Sequence, residues 1–460
     1  MKRISCLLLC TLVMLSAHSQ TASFEQAADA VRNMRVGWNL GNTLDCNSGG
    51  TQNMWIEHWA NTPSGYETAW GQAVTEYKLF DLFKDAGFNA IRVPVTWYPH
   101  MVKEWKFNSY SNSIWDRSLC DMTTYIDPAW MARVHEVVDY VIDHGMYCII
   151  NVHHDTGAAD TAWLTATAGG YALNHDLYAW LWTQIANEFK DYGERLLFES
   201  YNEMLDGYDS WCFASYASPS HYNASAATAT YKAINDYAQC FVDAVRATGG
   251  NNTQRNLIVN TYGACSGSGS WNAHLKDPLK EMALPDDIAN GHIAFEVHTY
   301  PNISSIASAK SEVNDMISAL RSHLISKGAP VIIGEWGSSD GNDYANRRSN
   351  MLEYARYLVE RAKAEDIATF YWMGLSDGED RAVPRWTQPD LVEAIIKGYY
   401  GEGGYDASIE DIPSDNAEGD KPCYCPDMPS SDLQGRSFCP WGLGIAIQNG
   451  HKFLNPDRVK

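Results

Sequence analysis

Short apolar runs recur along the chain, and longer segments with helical spacing of apolar residues separate them. Most of the runs are continuous rather than alternating, which is typical of strands in a parallel sheet covered on both faces. Apolar residues at every third or fourth position in the intervening segments indicate amphipathic helices. The pattern therefore predicts eight strands, at residues 35–40, 89–95, 147–153, 196–202, 256–262, 292–298, 330–336 and 368–374.

Three of the intervening segments carry helix signals at their ends. Thr75 is a candidate N-cap and Gly87 a candidate stop for the first of them. Pro128 stands in the first turn of the second, and Gly145 stands at its end. The three predicted helices occupy residues 75–88, 128–145 and 346–366.

The alternation of eight strands with helices predicts a (β/α)8 TIM barrel with loop insertions over residues 24–400. A doubly wound sheet would need a Gly-rich phosphate loop after its first strand, and the sequence GWNLGN at 37–42 does not fit that fingerprint. After Gly401 the chain becomes acidic and poor in large apolar residues. We interpret residues 401–460 as a linker and a short C-terminal tail, which is too small to fold alone.

The N-terminus has the pattern of an export signal. Lys2 and Arg3 precede a short apolar run at 4–15, and a small-x-small cleavage pattern follows it, so residues 1–19 are predicted to be a signal peptide. Cys10 leaves a lipoprotein anchor open as an alternative. No other apolar run approaches the length of a transmembrane helix. We therefore expect a protein that is secreted or held at the cell surface.

The net charge argues against some classes of binding partner, and the cysteines give no metal or redox motif. The net charge of −22 argues against binding to nucleic acid or to anionic membranes. Two of the 11 cysteines leave with the signal, and the pairing of the other nine does not follow from sequence. The spacing of Cys423 and Cys425 is too tight for a CxxC motif. We expect no metal and no cofactor.

Polar and ionisable residues gather where the predicted strands end. In a (β/α)8 barrel the reactive groups stand at the carboxyl ends of the strands. Taken singly, each of these residues has an ordinary structural explanation, such as a solvated rim carboxylate or a core aromatic ring. Their joint placement favours a site. The set comprises Arg92, His153, His154, Asn202, Glu203, His298, Tyr300, Glu335 and Trp372.

Two glutamates from different strands suit cleavage of a glycosidic bond. One carboxyl must be protonated for the leaving oxygen, and the other must be ionised to attack the anomeric carbon or to activate water. His153 and His154 raise a metal-dependent alternative. Because adjacent residues of a strand point to opposite faces, we expect the two histidines not to share one ion.

Seven motifs resemble glycoside hydrolase family 5, in particular its broad endoglucanase subfamily 4, over roughly residues 30–400. The motifs are GWNLGNTLD (37–45), IRVPVTW (91–97), IINVHHD (149–155), FESYNE (198–203), VHTYP (297–301), PVIIGEWG (330–337) and FYW (370–372). In one departure, Met204 stands where the family usually has a proline after Asn-Glu. The resemblance implies a retaining endo-β-1,4-glucanase that acts on a β-linked polysaccharide. We expect the protein to be a monomer.

The resemblance also implies residue roles. It makes Glu203 the acid/base, Glu335 the nucleophile and Asn202 the partner of the sugar 2-hydroxyl. The remaining substrate-binding positions are Arg92, His153, His298, Tyr300, Trp372, Asn42 and His154. Glu199 lies deeper on the same strand as Glu203 and is expected to be a buried, paired residue.

Several substrates stay open at this point. A xyloglucanase, a mixed-linkage glucanase, a mannanase or a xylanase would use the same residues, and a non-catalytic glycan-binding barrel is a further alternative. Loop tryptophans suit a polysaccharide cleft, although most are expected only to pack, with two or three in contact with sugar. They are Trp55, Trp59, Trp70, Trp97, Trp163, Trp211 and Trp271. The tail motifs DLQGR (432–436) and GLGIAIQNGHKFL (442–454) resemble sorting tails of exported proteins in Bacteroidetes-type bacteria.

Overall fold

The computed structural model contains one closed barrel. It describes residues 23–49, 56, 60, 62–102, 116–208, 210–216, 221–339, 347–372, 379–406, 445–448 and 451–454. The predicted signal peptide with Cys10, most of the predicted linker and tail, Trp55, Trp59 and three cysteines (Cys423, Cys425 and Cys439) lie outside these residues. Among the described residues, no helix combines the length and the apolar character that crossing a membrane requires.

Eight parallel strands form the barrel, each paired with its neighbours in the chain, and the first pairs with the last. All eight predicted strands are therefore confirmed. Most are shorter than predicted, because polar residues at their carboxyl ends belong to loops. The strands are β1 Val36–Asn39, β2 Ala90–Val93, β3 Tyr147–Asn151, β4 Leu196–Glu199, β5 Leu257–Cys265, β6 Ile293–Thr299, β7 Val331–Trp336 and β8 Ala368–Tyr371.

Helices surround the barrel. They are α1 Ala27–Met34, α2 Leu79–Ala86, α3 Pro128–Asp143, α4 Ala168–Glu188, α5 Ala224–Ala247, α6 Ile306–His323, α7 Arg348–Lys363 and α8 Pro389–Tyr400, with short helices at Pro63–Glu67 and Asp277–Glu281. Short 3-10 turns span Tyr98–His100, Arg117–Leu119, Gly250–Thr253 and Ile325–Lys327. Three two-stranded antiparallel pairs join Met101–Val102 to Tyr125–Ile126, Glu379–Asp380 to Arg385–Trp386 and Ile445–Gln448 to His451–Leu454.

The helix ends confirm most of the sequence signals and correct one. Gly87 ends α2 with a left-handed φ of 102°. Pro128 is the first residue of α3, and the side chain of Asp127 caps that helix. The prediction of Thr75 as an N-cap is wrong, because α2 begins only at Leu79. The Thr75 amide donates instead to Oε1 of Glu67 at 2.6 Å, a tertiary contact that draws this segment away from the helix.

The barrel interior is apolar at one end and polar at the other. At the amino-terminal end, α1 packs its buried face against residues that point into the barrel, such as Ile149, Leu197, Ile258 and Phe370. The opposite faces of the strands join the larger core beneath the surrounding helices. Apolar side chains thus fill the amino-terminal half of the barrel interior. The polar side chains gather at the other end, where the strands have their carboxyl ends.

Cysteines contribute no cross-link within the described part of the chain. Cys46, Cys120, Cys148, Cys212, Cys240 and Cys265 are free thiols. All six lie in buried or half-buried positions.

Candidate active site

The carboxyl ends of six strands bring the predicted residues together. Arg92 lies in β2, His298 in β6 and Glu335 in β7. The others follow directly after their strands, so that they reach the same rim of the barrel. His153 and His154 follow β3, Asn202 and Glu203 follow β4, Tyr300 follows β6, and Trp372 follows β8.

Arg92 is a fully buried guanidinium at the centre of this rim. Its Nε and Nη2 donate to both carboxylate oxygens of Glu199, at 2.6 and 2.8 Å. Its Nη1 donates to Glu335 Oε1 at 2.7 Å and to Asn39 Oδ1 at 3.0 Å. Its Nη2 also donates to Asn202 Oδ1 at 2.9 Å. One cation thus fixes four side chains that come from β1, β4 with its following loop, and β7.

Glu199 is buried and paired, as the sequence predicted. Besides Arg92, Asn151 Nδ2 donates to its Oε1 at 2.9 Å. Burial alone would raise the pKa of Glu199, but the charge and hydrogen bonds of Arg92 outweigh burial and the pKa is lowered. Glu199 is therefore held as a carboxylate that neutralises the guanidinium.

Glu335 has a donor on each of its carboxylate oxygens. Arg92 donates to Oε1, and the Tyr300 hydroxyl donates to Oε2 at 2.7 Å. Burial and the neighbouring Glu335 carboxylate hold the pKa of Tyr300 well above its usual range, so the phenol keeps the proton that it donates. The pair of donors is the environment of an ionised, fixed carboxylate.

Glu203 stands in a different environment from Glu335. Its Oε1 lies 2.7 Å from His298 Nδ1, and 19% of its side chain is exposed. Burial raises the pKa of Glu203, the nearby His298 opposes that rise, and the charge of Glu335 adds to it. One oxygen of Glu203, one of Glu335 and one His298 nitrogen all lie within 4.8 Å of one another. Glu203, paired with His298, and Glu335, held by Arg92 and Tyr300, thus face each other in different surroundings.

His298 lies between three carboxyls. Its Nδ1 is 2.7 Å from Glu203 Oε1 and 3.5 Å from Glu335 Oε2, and its Nε2 is 3.2 Å from Glu296 Oε1. Burial would lower the pKa of His298, but the carboxyls outweigh it and raise the pKa to about 10. The ring is therefore an imidazolium that donates from both nitrogens.

Sequence analysis missed Glu296. It lies two residues before His298 on β6, so both side chains point to the same face. A charged residue between the apolar Phe295 and Val297 was the available signal.

Trp372 and His153 form one wall of the site. Their rings stack with centroids 5.7 Å apart and an interplanar angle of 7°. A Cβ on Gly41 would lie 2.7 Å from the Trp372 ring, so only glycine permits this close approach. Burial lowers the pKa of His153 well below its usual range, and Asn151 Nδ2 donates to its Nδ1. The proton of the neutral ring is therefore assigned to Nε2, which lies 4.0 Å from Glu335 Oε1.

The two remaining predicted residues lie beside this wall. Asn42 is half-buried with a left-handed φ of 56°, and within the described residues no hydrogen bond links its side chain to the cluster. His154 Nε2 lies 3.8 Å from Asp45 Oδ2. The expectation that the two adjacent histidines point apart is wrong, since donor atoms of Asp45, His153 and His154 lie within 4.8 Å of one another. Strand β3 ends at Asn151, so its alternation does not extend to them.

A cavity of about 360 Å³ opens on the Glu203 side of the carboxyl pair. Glu203, His298 and Tyr300 line its inner end, and Trp211 and Trp271 line the outer part, with 42% and 62% of their surface exposed. The three other predicted loop tryptophans that the structure describes do not line this cavity. Trp97 and Trp163 are buried, and Trp70 packs beside His154.

The geometry agrees with the family relationship of the sequence. Residues 52–377 match the model of the cellulase family, glycosyl hydrolase family 5. The chain belongs to glycosyl hydrolase family 5. The closed barrel of eight parallel strands confirms the predicted (β/α)8 fold and is consistent with membership of this family.

Known members of the family extend the comparison. A broad specificity endoglucanase of family 5, subfamily 4, from an uncultured bacterium is 50% identical, with a TM-score of 0.73 over 82% of this chain and 97% of that one. A family 5 enzyme from Prevotella bryantii, solved with a xyloglucan tetradecasaccharide, is 38% identical, with a TM-score of 0.68 over 82% of this chain and 99% of that one. The cellulase/esterase CelE of Acetivibrio thermocellus is 30% identical over 81% of this chain, which spans 40% of the length of CelE.

Proposed function

We propose that this chain is a retaining endo-β-1,4-glucanase. The observation that carries the proposal is the facing carboxyl pair, Glu203 and Glu335, in opposite environments. Glu335 has two donors on its oxygens, whereas burial favours the protonated form of Glu203. This is the separation of roles that glycosidic cleavage requires, and the approach of their oxygens to within 4.8 Å suits the short spacing of retaining enzymes.

In the proposed mechanism Glu335 attacks the anomeric carbon while Glu203 protonates the departing sugar oxygen. Arg92 and Tyr300 hold the attacking carboxylate in place, which reduces the entropy lost on reaching the transition state. Water, deprotonated by Glu203, then cleaves the glycosyl-enzyme ester at the same carbon. Two inversions give net retention of configuration.

The surrounding side chains provide contacts for the sugar. Asn202 Oδ1 is engaged by Arg92, so Asn202 offers the 2-hydroxyl its Nδ2 amino group. Trp372 offers a ring face at the cleavage position, and His153 offers its Nε2 proton. His154 and Asn42 lie further along the same wall and are proposed to contact the adjoining sugar.

The cavity beside Glu203 is proposed to hold the leaving part of the polysaccharide. Because Glu203 protonates the leaving oxygen, the departing sugar must lie on its side of the pair. Trp211 and Trp271 present exposed rings there, on which sugar rings stack. Binding on both sides of the scissile bond supports action within a chain rather than at its end.

The substrate is proposed to be a β-linked glucan. Relatives described as broad specificity endoglucanases, and the family 5 enzyme solved with xyloglucan, support this class. The test measures reducing ends released from carboxymethylcellulose, mixed-linkage β-glucan, xyloglucan, glucomannan and xylan. The parent is expected to cleave at least one glucan, and the polymer cleaved fastest distinguishes a glucanase from a xyloglucanase, mannanase or xylanase. Folded parent protein that binds these polymers and cleaves none would establish the glycan-binding alternative instead.

The two carboxyl roles are tested separately with Glu203→Ala and Glu335→Ala. On an aryl β-cellobioside whose phenol leaves without protonation, Glu203→Ala is expected to keep its first step, and Glu335→Ala to lose it. On polysaccharide both variants are expected to lose activity by at least about a thousandfold. Equal behaviour of the two variants on the activated substrate would overturn the assignment.

We also propose that the chain is exported and acts as a monomer, with residues 24–400 as its catalytic domain. The signal pattern at residues 1–19 supports export. Observed barrel elements from Ala27 to Tyr400 support the domain bounds. Mass measurement of the mature N-terminus and the hydrodynamic size of the purified protein test both points.

A further inference from the structure

Glu296 is a fully buried carboxyl beside the two cations of the active site, Arg92 and His298. Its Oε1 lies 3.2 Å from His298 Nε2 and 3.4 Å from Arg92 Nε. It therefore contacts the residue that faces Glu203 and the residue that fixes Glu335. Glu296 lies outside the seven motifs and has no role in the proposed mechanism.

The neighbouring strand leaves room for this carboxyl. A Cβ on Gly334, the residue before Glu335, would lie 1.5 Å from Glu296 Oε1, so no other residue is compatible with this placement. Asn39 Nδ2 donates to the Gly334 carbonyl at 2.9 Å and holds that segment of β7. The position of Glu296 on β6 thus depends on the glycine at position 334 of β7.

The second oxygen of Glu296 indicates that the group holds a proton. Its Oε2 is buried and has no hydrogen-bond partner among the described residues. A bare carboxylate oxygen in such a place is costly. Burial, followed by the charge of Glu199, raises the pKa of Glu296 to about 8.

The charges around Glu296 balance when two of the carboxyls are protonated. Full ionisation would set four negative charges against two cations, whereas protons on Glu203 and Glu296 leave two against two. The ionisable groups that face Glu296 directly or through one of its partners, on β2, β4, β6, β7 and the loop after β4, are Arg92, Glu199, His298, Glu335 and Glu203.

We propose that Glu296 is a positioning residue, which accepts from His298 Nε2 and thereby keeps the ring doubly protonated with Nδ1–H directed at Glu203. This proposal rests on the proposed function, in which Glu203 becomes a carboxylate as its proton passes to the leaving oxygen. A donor already aimed at Glu203 Oε1 stabilises that developing charge without reorganisation. Because Glu296 is fully buried, it acts through its neighbours, chiefly His298, and not on the substrate itself.

The test variant is Glu296→Gln, which keeps the shape and removes the ionisable group. An amide does not acquire the negative charge that Glu296 takes up as pH rises, so His298 and Glu203 hold their protons less tightly. Because Glu296 becomes charged only near pH 8, the difference is expected above that pH, where the basic limb of the kcat/KM profile should move down by about one pH unit with KM nearly unchanged. In 15N spectra of histidine-labelled protein, with His298→Asn for assignment, His298 is expected to lose its second proton at correspondingly lower pH.

The matched control is Glu194→Gln. Glu194 is also buried, but it precedes β4 at the opposite end of the barrel, where its Oε2 accepts from the Glu25 amide at 2.7 Å. This variant is expected to keep the parent profile. If Glu296→Gln does not fold, Glu296→Asp serves instead, since it keeps the charge but withdraws the carboxyl from His298, with a smaller shift in the same direction.

The outcomes separate the two proposals. An inactive parent would refute the proposed function, while the 15N titration would still report on Glu296 and His298. An active parent whose basic limb and His298 titration are both unchanged by Glu296→Gln would overturn the positioning role. A loss of thermal stability alone would reduce Glu296 to a structural residue.

Discussion

Replacement of Glu199 by glutamine tests whether the buried ion pair with Arg92 supports both the fold and the chemistry. The pair is bidentate, with contacts of 2.6 and 2.8 Å and no exposure of either side chain. Removing one partner of such a pair costs about 3–5 kcal/mol, because the remaining charge is left buried. We therefore expect Glu199→Gln to lower the free energy of unfolding by that amount.

Activity is expected to fall as well. Without Glu199, the Arg92 guanidinium is drawn toward Glu335 and makes that carboxylate less nucleophilic and less well placed. Misplacement of reacting groups by about 1 Å lowers rates roughly 100-fold, so kcat is expected to fall about 10- to 100-fold. Urea unfolding and steady-state hydrolysis of a soluble β-glucan measure the two effects.

The contribution of the Glu199–Arg92 pair to the free energy of unfolding depends on pH. The pKa of Glu199 is lowered in the folded protein, so its contribution to stability is present above the ordinary glutamate pKa of about 4.3. The contribution disappears as pH falls through the folded value. The difference in stability between parent and Glu199→Gln should therefore be full at neutral pH and shrink in acid.

A second buried pair provides the control. Glu67 accepts from Arg133 at 2.9 and 3.0 Å outside the active-site cluster. Glu67→Gln is expected to destabilise the protein while leaving kcat within about twofold of the parent. If Glu199→Gln unfolds at the parent urea concentration and keeps the parent kcat, the account of Arg92 as the organising cation is wrong.

Three further predictions concern the cleft. Tyr300→Phe removes a hydrogen bond to the charged Glu335, so kcat should fall about 10- to 100-fold with little change in KM; an unchanged kcat would exclude this role. Trp271→Ala should raise KM for cello-oligosaccharides about 2- to 10-fold but leave an aryl β-cellobioside unaffected, since that substrate has no sugar on the leaving side. Dialysis against EDTA should leave the activity unchanged; a loss that zinc restores would assign a metal to Asp45, His153 and His154.

The strands and the site followed from sequence because their signals are local. Continuous apolar runs located all eight strands, and the rule that barrel strands end at one rim brought Arg92, Glu203 and Glu335 together before any coordinates. Contacts between distant segments were not predictable. The amide of Thr75 bonds to Glu67 instead of opening a helix. The loop after β3 aims His153 and His154 at a common point.

Glu296 shows the same limit within a strand. Its neighbours on β6 are apolar, and sequence alone does not tell whether a strand glutamate faces solvent, a partner or a catalytic group. Only the packing of Gly334 against it and the approach of Arg92 and His298 define its place. Such contacts depend on register between strands far apart in the chain.

The stereochemistry of the first product tests the carboxyl pair most directly. Hydrolysis of a cello-oligosaccharide in D2O, followed by proton NMR before mutarotation equilibrates the ends, reports the configuration at the cleaved carbon. Double displacement through Glu335 predicts that the β-anomer appears first and the α-anomer only later. Initial release of the α-anomer would mean a single displacement by water and would contradict Glu335 as the nucleophile.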